Sequence, residues 1–201
     1  MSVKINRTQH SITVRATHWL NVLCMTGMFM SGWEIYNASP IYNFHFPSFL
    51  TLGGWLGGAI GWHLAVMWIM FFNGALYLIH GLLSGHLKSD IFSFSLADLR
   101  KDLLLSIRLK ISHKHQSYNA VQKASYVAVI GLLMFLVISG MAIWKPVQLS
   151  WLTNMMGGFD TARVVHFYSM SLTGLFIIVH IIMVLLFPKT LIGMFSGGKR
   201  D

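Results

Sequence analysis

From Leu56 to Leu83 the chain carries no Lys, Arg, Asp or Glu. As a helix this stretch would extend about 40 Å at about 1.5 Å per residue, more than the ~30 Å hydrocarbon core of a bilayer. Three further runs are nearly as free of charge: about 18–36, whose single charge is Glu34 near its end, about 124–144, and about 164–187, closed by Pro188. Four spans make this an all-α membrane protein, a single domain over residues 1–201 built as a four-transmembrane-helix bundle. Composition agrees, since 55% of residues are hydrophobic and 10% charged, against about 25% charged in soluble domains. The mean hydropathy is +0.61. Too little polar surface remains to cover a water-soluble enzyme. The first apolar run is span-length with no small-residue cleavage pattern behind it, so it does not read as a cleavable signal.

The charges that remain are lopsided. The net charge of +9 would suit nucleic acid in a polar chain, but in one this apolar it points to a membrane surface and the lipid bilayer, with no nucleic acid. Lys4, Arg7 and Arg15 precede the first span. Lys88, Arg100, Lys101, Arg108, Lys110, Lys114 and Lys123 lie between the second and third, and Lys189, Lys199 and Arg200 follow the fourth. Only Lys145 and Arg163 fall on the other side. The positive-inside rule therefore puts both termini in the cytoplasm. Trp33, Trp55, Trp62, Trp144 and Trp151 gather near the opposite span ends, where an aromatic belt would sit.

The long connection, 84–118, reads as an amphipathic segment on the inner leaflet. Ser95 with Asp98 three residues on predicts a helix start, and Leu96, Leu99, Leu103 and Ile107 recur at helical spacing opposite Arg100, Lys101 and Arg108. A docking surface for a cytoplasmic protein is the sharper reading of the same pattern.

Ionisable residues inside spans are costly and mark function by default. His18 opens the first span, His63 and His80 lie in the second, His166 and His180 in the fourth; His10, His45, His86, His113 and His115 fall in links. A single cysteine, Cys24, excludes a multi-cysteine metal centre, so histidine must hold any metal. On one helix His166 and His180 lie about 40° apart in azimuth and about 21 Å apart in height. One helix thus offers two imidazoles at two depths on one face, as two stacked haems require. By depth, His18 matches His180 near the cytoplasmic side and His63 matches His166 near the outer side. His80 is about 100° round the helix from His63 and stands apart, as a quinone or proton-relay residue or as a helix-packing histidine.

Gly32 and Gly74 each fall close to the ligand face of their helix at the other histidine level, where a missing side chain would admit a porphyrin; small-residue helix packing explains them equally well. Arg15 and Arg163 each stand one turn before a ligand histidine, His18 and His166, at a membrane edge where a propionate would emerge. A positive-inside anchor is the plainer alternative for Arg15.

Arg15-Ala16-Thr17-His18-Trp19 at the first span, and Arg163-Val164-Val165-His166 with His180 in the fourth, resemble the bacterial cytochrome b561-like superfamily. This group includes the cytochrome b subunits of nickel–iron hydrogenases, formate dehydrogenase and thiosulfate reductase. The resemblance covers nearly the whole chain and implies two b haems with axial pairs His18/His180 and His63/His166. It implies electron transfer between the quinone pool and a periplasmic catalytic subunit of an oxidoreductase complex, with quinone as exchangeable substrate. The stretch from Gly158 to Arg163 looks most like the forms paired with molybdopterin oxidoreductases, a nickel–iron hydrogenase being the alternative partner. Gly61-Trp62 departs from the basic residue many relatives carry before the second-helix ligand. A His-based proton channel or transporter would explain intramembrane histidines but not two pairs matched in level.

Overall fold

The computed structural model describes residues 11–83, 95, 97–100, 120–186 and 188–196. Among these residues the regular structure is entirely helical. It comprises α1 (Ile12–Ala38), a short 3-10 turn at Ser48–Leu50, α2 (Leu56–Leu83), α3 (Ala120–Trp144), α4 (Ser150–Met155), α5 (Phe159–Leu186) and α6 (Pro188–Ser196). Each expected span has its helix, extended by a few residues at one or both ends in three of the four. The two short helices were not expected. α4 has less than two turns with which to show a period, and Pro188, read as the end of the fourth span, also opens α6, since proline suits a first helical position.

Among the described residues, three helical stretches are long and apolar enough to cross a membrane: Leu56–Leu83, Lys123–Trp144 and Phe159–Leu186. α1, at 27 residues, matches them in length but carries Asn21, Thr26, Ser31 and Glu34. Burial is inverted relative to a water-soluble protein. The largest fully buried side chains are Thr173, Ser31 and Ser139, while Phe72, Leu82, Leu83, Leu175, Ile178 and Leu185 are all more than half exposed. A surface of this kind suits contact with lipid, and the chain is a multi-pass membrane protein.

The chain forms two compact units, one of Met1–His80 with Ile181–Asp201, the other of Gly81–His180. In the first, α1 begins at Ser11, whose hydroxyl accepts the Val14 amide, a standard N-cap bond. α1 and α2 run antiparallel. Asn73 on α2 donates to the Thr17 carbonyl (2.8 Å) and the Asn21 side chain (2.7 Å), and further along α1 a Cβ at Gly27 would stand 3.3 Å from Val66. The link between them is held by Asn37, whose carboxamide bonds both backbone groups of Phe46, and by stacking of Trp33 on Phe46 and of Tyr36 on Phe44. Gly53 has φ +120°, and a Cβ there would collide with the Ala59 backbone, so only glycine permits this entry into α2.

In the second unit α3 and α5 are antiparallel, joined through α4 around Ala142, Leu152 and Ala162. Thr153 donates to the Ala142 carbonyl at 2.9 Å. α4 closes in a Schellman motif, with Gly158 N–H to Thr153 O (2.9 Å), Gly157 N–H to Asn154 O (3.0 Å) and both glycines at positive φ. That turn aims the first residues of α5. The predicted cap at Ser95 is present: its hydroxyl accepts the Asp98 amide (3.1 Å) and donates to the Asp98 carboxylate (2.6 Å), and residues 97–100 are helical. The rest of the amphipathic link, with Leu96, Leu103 and Ile107, lies outside the described residues, as do Lys4, Arg7, Lys199 and Arg200.

Candidate functional site

Each unit holds two of the four candidate ligands, His18 and His63 in the first, His166 and His180 in the second. His18, nearly two turns into α1, is half-buried. His63 is half-buried near the start of α2, and its Nδ1 lies 3.0 Å from Ser31 Oγ on α1. Ser31 Oγ is itself 2.6 Å from the Gly27 carbonyl. His166, half-buried near the start of α5, repeats the arrangement with Ser139 on α3: Nδ1 to Oγ is 2.9 Å, and Oγ lies 3.1 Å from the Leu136 carbonyl. Gly140 completes this contact, because a Cβ there would stand 3.3 Å from His166 Cε1.

α5 carries its histidines on a polar stripe. Ser169 and Thr173, between His166 and His180 on the same face, are buried and bond their own helix through the Val165 and Ser169 carbonyls. The His180 ring is exposed and lies parallel to Phe176, with centroids 6.2 Å apart. His80 is half-buried near the end of α2.

The predicted anion-binding residues fare differently. An Arg15 Nη donates to the carbonyl of Phe195, fastening the C-terminal turn of α6 to the start of α1, where a cation complements the helix end. Trp19 reinforces this contact by packing on Phe195 at 4.5 Å. Arg15 Nε is buried without a hydrogen-bond partner among the described residues. Arg163 forms a loose pair with Asp160 at 3.9 Å, with the Asp160 side chain 93% exposed. Nothing lies within 4 Å of where a Cβ on Gly74 would stand; Gly32 is half-buried on α1.

These residues fit a haem. Two histidines have the Nδ1 side of the ring held, so the opposite nitrogen would be the ligating one. One buried guanidinium nitrogen lacks an acceptor, which a carboxylate would supply. Among the described residues no three His, Cys, Asp or Glu side chains converge to hold a bare metal ion, whereas a haem asks one imidazole of each helix. Sequence reasoning missed Ser31, Ser139, Gly140 and Asn73. The first three are signalled only by being small or polar in apolar helices, and Asn73 by being a carboxamide in a span.

The architecture and the intramembrane histidines describe a membrane b-type cytochrome. A family model for prokaryotic cytochrome b561 matches residues 9–197, and the chain belongs to that family. Membership implies haem b as cofactor and electron transfer as the class of work. The chain is also 45% identical over 189 residues to a protein of Azospira oryzae provisionally named protein-methionine-sulfoxide reductase subunit YedZ1, the match covering 94% of this chain and 96% of that relative.

Proposed function

We propose that the chain is a dihaem cytochrome b subunit of the bacterial inner membrane, passing electrons between the quinone pool and a periplasmic redox partner. In this reading α1, α2, α3 and α5 form a four-helix bundle with both termini cytoplasmic, and His18 pairs with His180, His63 with His166. Held by these histidine pairs, haem b would supply a one-electron couple. The observation that carries the reading is the repeated serine hold on His63 and His166, which orients both rings as ligands. Two polar residues of α1 support its role as a span: Asn21 and Ser31 are turned onto Asn73 and His63 of α2, so that part of its polarity is met by protein rather than lipid. Arg15 and Arg163 would receive propionates, and Gly32 and Gly74 would leave room beside the rings.

The name of the Azospira relative favours a reductase acting on oxidised protein methionine as the partner, which in this reading would draw its electrons from the chain. A molybdopterin centre in that partner fits the resemblance of the Gly158–Arg163 stretch. The test is an oxidised-minus-reduced absorption spectrum of the purified chain with pyridine haemochrome quantification. Two haems b per chain are expected, falling to one in His63→Ala and in His166→Ala, with both retained in His80→Ala. Absence of haem b, or loss of haem in His80→Ala but not in His63→Ala, overturns the reading.

A further inference from the structure

We propose that Ser31 and Ser139 are positioning residues that fix His63 and His166 in the tautomer able to bind iron. This inference rests on the ligand assignment above. A hydroxyl has one proton to give and two lone pairs with which to accept. Ser31 Oγ lies 2.6 Å from the Gly27 carbonyl, so its proton is committed to its own helix. At 3.0 Å from His63 Nδ1 it can then only accept, and Nδ1 must carry the ring proton. A neutral imidazole has one N–H, so the lone pair resides on Nε2. The same hydroxyl also lies 3.3 Å from the Met28 carbonyl, a second acceptor for its proton within its own helix. The second unit arrives at the same result with different residues. Ser139 Oγ is engaged with the Leu136 carbonyl at 3.1 Å and faces His166 Nδ1 at 2.9 Å.

Three features set these serines apart from ordinary helix packing. Both are 0% exposed. Ser125, Ser169 and Thr173 also bond their own helix, but none of those hydroxyls takes a ring N–H. The two arrangements are also equivalent in position. α2 and α5 each have 28 residues, each ligand is the eighth residue of its helix, and each serine lies near the C-terminal end of the antiparallel helix before it. Outer hydrogen bonds of this kind hold a ligand's orientation and raise its basicity.

The test uses the full chain in nanodiscs with its haem bound. The probe is the haem lost in His63→Ala, followed by potentiometric titration and by the electron paramagnetic resonance of the ferric low-spin centre. Without an acceptor for Nδ1–H the imidazole is a weaker donor, so Ser31→Ala and Ser139→Ala should each favour the reduced form of that haem. The expected effect is up to about tenfold at fixed potential, equivalent to about 59 mV for one electron, with altered g-values and no change in the other haem. Ser139→Thr, which keeps the hydroxyl, should restore the wild-type potential. Unchanged potentials and g-values in both alanine variants, with that haem still lost in His63→Ala, overturn the serine role and leave the ligand assignment standing. Shifts in two different haems overturn the equivalence of the two serines. Retention of every haem in His63→Ala overturns the underlying ligand assignment itself.

Discussion

Asn73 ties α2 to α1 through both hydrogens of one carboxamide, and its replacement gives a measurable account of how the first unit is held. The side chain is 5% exposed, with Nδ2 2.8 Å from the Thr17 carbonyl and 2.7 Å from Asn21 Oδ1. Asn73→Leu keeps the branched shape and the number of heavy atoms and removes both bonds. Thr17's carbonyl, inside a helix, keeps an intrahelical donor, so that bond's loss is mild. Asn21 loses a partner outright. Interhelical bonds in membranes are worth about 0.6 kcal/mol on average and up to about 1.7, so the two together predict a cost of about 1–3 kcal/mol for Asn73→Leu. Asn21→Leu breaks one bond and should cost less. The double variant no longer strands a carboxamide, so it should cost less than the sum of the single changes by about 0.6–1.7 kcal/mol. Reversible unfolding of the reconstituted chain, followed by helical circular dichroism across this cycle, measures each value. Additivity within about 0.3 kcal/mol would show that the two carboxamides do not interact, and the register of α1 on α2 would then have to come from the remaining contacts, Asn73 with Thr17, Gly27 with Val66 and Ser31 with His63.

Two further outcomes follow from the contacts around the histidines and the C-terminal helix. Gly140→Ala places a Cβ 3.3 Å from His166 Cε1, so the ring must yield by a few tenths of an ångström; the low-spin haem signal should shift, whereas Gly131→Ala, with nothing within 4 Å, should leave it alone. Arg15→Gln removes the charged donor to the Phe195 carbonyl, and a spin label on α6 should gain mobility, with an unchanged label spectrum counting against that fastening.

What could be read from sequence alone depended on whether a property accumulates along the chain or arises between helices. Leu56–Leu83 declares itself because every residue contributes to its hydropathy, and the helix found there has those bounds. His63 and His166 stand out because an imidazole is conspicuous among Leu, Val and Phe. Ser31 and Ser139 are not conspicuous, since serine is common in membrane helices and its role appears only when an antiparallel neighbour brings a ring nitrogen to it. Arg15 shows the limit differently. Its place before His18 was legible, but its bond to Phe195 joins residues far apart in sequence, through a helix whose opening proline had been read as an end.

The scarcity of charge in these helices also accounts for the kind of acceptor the two histidines meet. A carboxylate beside Nδ1 would hold the proton more strongly than a hydroxyl does, and histidine–carboxylate pairs are common around metals in soluble proteins. Within a bilayer an Asp or Glu costs about 2.5–3.5 kcal/mol at mid-span on the lower scales, and the chain has six acidic residues in all. A serine already bonded to its own helix carries no net charge into the membrane and still offers an oxygen to the ring. In both hairpins the ring nitrogen faces such a neutral hydroxyl, at 3.0 and 2.9 Å. Replacing Ser31 by Asp would therefore set the stronger acceptor against the burial of a charge at a position 0% exposed, and the neutral hydroxyl avoids that conflict.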